Sequence, residues 1–115
     1  MYGTGGFENL EERQKALNFL YGLRERWEKF SLYAKGEILA YKLRTAKEDP
    51  ALRRIETLEK HIVYRGDAIE NLITAYVKGE EQRTTDSGQS MLIDCNDTVR
   101  FFNSVFNQNV SLDSY

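Results

Sequence analysis

Apolar residues recur every three or four positions along most of this chain. Leu20, Leu23, Trp27, Phe30, Ala34, Ile38 and Tyr41 form one ladder, and Ile55, Leu58, Ile62, Ile69, Leu72 and Tyr76 form a second. That spacing places each set on one side of an α-helix. Between the ladders, Glu48-Asp49-Pro50, which holds the only proline, reads as a turn. The pattern predicts a long helical hairpin. Its first arm starts near Phe7 to Leu10, where Glu8, Glu11 and Glu12 suit the positive end of a helix dipole, and runs to about Lys47. The second opens with Asp49 as cap and Pro50 in its first turn, and ends near Tyr76-Val77.

Breakers refine this outline. The second ladder skips a rung at Arg65-Gly66, so that arm is either one interrupted helix or two helices with a sharp joint. The in-phase return from Ile62 to Ile69 favours the interrupted helix. Phe19, Leu32, Leu39 and Leu43 add a second apolar face to the first arm, which predicts more than one neighbour for it. Gly36 lies in line with those leucines and marks a place where another backbone comes close; Gly22 has no assigned role. Residues 79–90 contain no apolar side chain and read as a loop. Asn96-Asp97-Thr98 then offers the cap of a short C-terminal helix carrying Val99, Phe102, Val105 and Phe106. The glycine-rich residues 1–6 read as a flexible lead-in and the polar residues 107–115 as a frayed tail, leaving one all-α domain over 7–106.

Two antiparallel helices bury only the seam between them. Trp27, Phe19, Phe30 and Leu32 would then keep apolar surface in water, at roughly 25 cal/mol per Å². Pairing two hairpins into a homodimeric four-helix bundle covers those faces. A monomeric three- or four-helix bundle, bent at Gly22 or Gly66, is the other solution. The length of both ladders favours the homodimer.

Composition narrows the class. With 115 residues, 41% hydrophobic and 30% charged, the chain suits a folded helical domain rather than a disordered one. Its net charge of −2 conceals an asymmetry. Residues 42–65 carry seven bases against four acids, and residues 66–115 three bases against eight acids. That balance does not suit a protein built to coat nucleic acid. The basic segment gathers Lys42, Arg44, Lys47, Arg53 and Arg54 at the hairpin end, with Lys60 and Arg65 further along. It fits an acidic partner or a phosphate backbone. The interleaved Glu48, Asp49, Glu56 and Glu59 favour ordinary surface pairing. A single Cys95, no secretory leader and no apolar run near the roughly 20 residues of a membrane span lead to the expectation of a soluble cytoplasmic protein.

Candidate chemistry is sparse. Arg54 and His61 stand six residues apart in the intervening count on one helix. That spacing resembles the Arg/His pair of helical ribonucleases of the HEPN superfamily, which are often dimers; the resemblance implies phosphate stabilisation by Arg54 and proton transfer by His61. In that family a polar residue often follows the arginine, whereas Ile55 follows here. The simpler reading is a solvated Arg54 and a His61 flanking the ladder. One histidine and one cysteine give no zinc or di-iron ligand set. Cys95 has no partner nearby in sequence and reads as a packed thiol. Among the aromatics, Phe102 takes the inward position and leaves Phe101 available for a partner.

The expectation is therefore a non-enzymatic helical interaction module, homodimeric, without cofactor, metal or membrane. It would recognise another protein through Lys42, Arg44, Lys47, Arg53, Arg54 and Phe101. By compositional analogy alone, phage and mobile-element accessory proteins and assembly adaptors are of this kind. A nucleic-acid-binding module using the basic end, or a HEPN-like RNase using Arg54 and His61, are the alternatives.

Overall fold

Three α-helices and no strand make up the regular structure of the described residues, 10–79 and 86–115, of a computed structural model, apart from one 3-10 turn near the end. The first ladder lies on α1 (Leu10–Leu43), with Glu11 and Glu12 in its first turn. Leu17, Leu20, Leu23, Trp27, Phe30, Ala34 and Ile38 form its buried face. The helix stops at Leu43, short of Lys47, because the N–H groups of Arg44 and Thr45 turn back to the carbonyls of Tyr41 and Lys42 at 3.3 and 3.5 Å. Such tighter pairing closes a helix end. After the turn, Asp49 Oδ1 accepts from the Ala51 N–H at 2.9 Å and Pro50 already has helical φ of −59°.

The second arm is α2 (Ala51–Lys78), continuous through Gly66. This corrects the expected interruption or joint there. The Trp27 indole lies against Gly66, 3.6 Å from where a Cβ would stand. Its N–H donates to the Ile62 carbonyl at 3.2 Å, so residue 66 serves packing and not a bend. α2 ends at Gly79, whose φ of 75° is the left-handed cap that glycine adopts without strain. Arg13 donates from Nε to the Tyr76 carbonyl at 2.7 Å and from Nη2 to that of Val77 at 2.6 Å, tying the start of α1 to the end of α2.

The last helix, α3 (Asp86–Phe106), is 21 residues long, which corrects both the loop through residue 90 and the short helix begun at Asn96. Residues 80–85 of that loop lie outside the described residues, as do the lead-in 1–6 and the expected start of the first arm at 7–9. Within Ser87–Ser90 one residue has a steric reason to be small: Gly88 packs on Phe19, whose ring lies 3.0 Å from the position a Cβ would take. Thr98 is interior to the helix, donating to the Asp94 carbonyl at 3.3 Å.

α2 runs antiparallel to α1, and α3 antiparallel to α2, in a body measuring 61 × 25 × 17 Å. α3 closes the side of the hairpin that carries Phe30. The rings of Trp27 and Phe30 are 5.1 Å apart, Phe30 and Phe102 5.4 Å, Phe102 and Phe106 4.9 Å, and Phe106 and Tyr41 5.9 Å. Burial of Trp27 and Phe30 thus needs neither a second copy nor a bend at Gly22 or Gly66.

Residues 107–115 are also folded in, correcting the expected tail. Asn107 takes a φ of 54° and the Gln108 N–H reaches the Asn103 carbonyl at 3.1 Å, reversing the chain after α3. The Asn103 side chain then clasps Val110, donating to its carbonyl at 2.9 Å and accepting from its N–H at 3.0 Å. The 3-10 turn Leu112–Ser114, capped by Ser111, buries Leu112, and Tyr115 meets Phe30 edge-on at 6.3 Å. A polar-looking segment is held by one buried leucine and a side chain that mimics a strand partner.

Candidate functional site

The basic residues expected to form one surface are divided among local contacts. Lys42 pairs with Glu59 at 2.8 Å, and Arg44 lies over the ring of its neighbour Tyr41 at 5.2 Å. Arg54 donates to Ser104 Oγ at 2.7 Å and lies 5.8 Å from the centre of the Phe101 ring. Arg65, further along α2, pairs with Asp94 at 3.7 Å and donates to Thr98. Lys47 and Arg53 are exposed, and neither has an acidic partner among the described residues.

Phe101 is half-buried rather than open. Arg54 lies on one side of its ring, and His61 meets it edge-on at 5.8 Å. The structure therefore brings Arg54, His61 and Phe101 together at the α2–α3 seam. The phenyl group is the contact that the two polar side chains share. Exposed charges in such a setting are weakly coupled.

Cys95 is fully buried. Loss of solvation pushes its thiol up from 9.0 to about 12, against the opposing pull of Arg65. A thiol so protonated is a poor nucleophile. Among the described residues, no group of three or more His, Cys, Asp or Glu is placed to hold a metal ion, and no helix is long and apolar enough to cross a membrane.

Part of the open surface is apolar. Leu32, Leu39 and Leu43 keep 76%, 58% and 80% of their surface in solvent, on the side of α1 turned from the core. Gly36 lies among them, with no atom within 4 Å of a Cβ built there, so the expected close approach of another backbone is not made within this chain. Beside Leu32, α1 and α2 alone line a groove of about 470 Å³. Trp27, Ile62 and Ile69 lie deep in it and Val63 is at its rim. Charges of both signs surround it, Arg24 pairing with Glu70 at 3.5 Å. The sequence had shown this row as a second face of α1. The structure divides it: α3 covers Phe19, while the leucines point away from the buried stripe of α1.

Compared with known protein-family models, curated proteins and solved structures, the chain matches none.

Proposed function

We propose that this protein is a non-enzymatic helical interaction module whose working surface is the outward face of α1. One observation carries the proposal: Leu32, Leu39 and Leu43, on one side of α1 with Gly36 on the turn between the first two, stay in water although the core behind them is closed. Scattered exposed leucines are ordinary, but a row at helical spacing beside a groove fits a partner helix. At the α2–α3 seam Arg54 and His61 are each engaged with the Phe101 ring, and Arg54 also with Ser104, which favours a structural role for them.

The test is a Leu32→Glu/Leu39→Glu double variant of the full chain. Both side chains are exposed, so the circular-dichroism spectrum and melting behaviour are expected to stay close to those of the unmodified protein. Association, whether with itself or with a defined partner, is expected to be lost. Association unchanged by the double substitution would remove the proposal.

A further inference from the structure

We infer that the leucine row of α1 receives a second copy of this chain, packed antiparallel so that Leu39 of each copy enters the gap over Gly36 of the other. This rests on the reading of α1 as the working surface and names its occupant. Leu32, Gly36, Leu39 and Leu43 follow one another at steps of four, three and four, the spacing of a two-helix seam. A seam normally carries a side chain at each such position. Here one position is a glycine with open space above it, and a leucine stands one step further on.

An antiparallel pairing about a twofold axis between Gly36 and Leu39 makes the row self-complementary. Leu32 then faces Leu43, and each Gly36 faces a Leu39. Within α1 this register also sets the exposed Lys35 opposite the exposed Ala40. A parallel pairing places Gly36 against Gly36, Lys35 against Lys35 and Glu28 against Glu28. That leaves a void and sets like charges together.

From Leu32 to Leu43 the contact runs about 18 Å at 1.5 Å per residue, the low end of specific interfaces, below about 1,200 Å² in all. Self-association is accordingly expected in the micromolar range rather than the nanomolar.

Sedimentation equilibrium of the full chain over a wide concentration range reads the result. The unmodified protein is expected to dimerise, and Leu39→Glu to weaken the dimer at least tenfold without loss of helix signal. Gly36→Leu, which meets nothing within its own chain, is expected to weaken it as much by filling the gap. A protein that stays monomeric at millimolar concentration, or a dimer indifferent to Leu39→Glu and Gly36→Leu, overturns the inference. A stable monomer that still binds a defined partner through Leu32 and Leu39 would overturn the second copy alone and leave the interaction module standing.

Discussion

The indole N–H of Trp27 donates to the carbonyl of Ile62 at 3.2 Å, joining the middle of α1 to the turn of α2 that holds Gly66. The bond is buried, and the ring that makes it fills the space beside the glycine. Trp27→Phe keeps most of the apolar contact but removes the donor, and is expected to cost about 1–2 kcal/mol. Trp27→Ala is expected to cost about 3–5 kcal/mol. Urea melts followed by circular dichroism separate the two cases.

The glycines are expected to respond differently to alanine. At Gly66 a Cβ stands 3.6 Å from the indole, ordinary contact, so Gly66→Ala gains helix propensity and stabilises by up to about 1 kcal/mol. At Gly79 the positive φ makes alanine unfavourable by about 1 kcal/mol. Gly88→Val drives a branched side chain into the Phe19 ring and is expected to destabilise by about 1–3 kcal/mol. A large loss of thermal stability for Gly66→Ala would contradict the continuous α2.

Cys95 gives the stability a defined pH dependence. Its thiol is held protonated in the fold to about pH 12, whereas in the unfolded chain it ionises near its ordinary 9.0. Between those values the folded state binds the extra proton, so stability present below pH 9 falls as pH rises, at up to about 1.4 kcal/mol per pH unit. Cys95→Ala is expected to remove that slope whatever it does to the baseline. A thiol reagent at pH 8 should react at the rate of unfolding and not at that of a free thiol.

Leu112 and Asn103 should behave as core residues despite their position near the last residues of the chain. Leu112→Ala is expected to cost about 2–4 kcal/mol through the cavity it leaves. Asn103→Ala loses both bonds to Val110 and is expected to cost about 1–3 kcal/mol. Amide exchange should show the Val110 N–H protected in the unmodified protein and open in Asn103→Ala.

The ladders were legible because helical period and burial agree from Leu20 to Ile38 and from Ile55 to Tyr76. The turn was legible because a carboxylate and a proline each have one local use there. The start of α3 was not. Ser87–Ser90 is read as loop by any rule that seeks apolar residues, yet it is helical, with Gly88 against Phe19, a residue nearly seventy positions away. Gly66 misled for the same reason: its use lies in Trp27, on another helix. The leucine row of the candidate site could be seen in sequence, but not its exposure. Nor could spacing show that Arg54 and His61 meet Phe101, since that depends on the register of α3 against α2.

Among the described residues, three helices in alternating directions leave one helix dipole uncancelled. At the hairpin end α1 and α3 both present carbonyl ends, and only α2 presents amides. That end carries a surplus of partial negative charge, and α3 has no basic residue in its own last turn. Lys42, in the last turn of α1, and Arg44 just past it supply part of the counterweight. Reversing the sign of those two would therefore cost the fold some stability as well as any contact outside it.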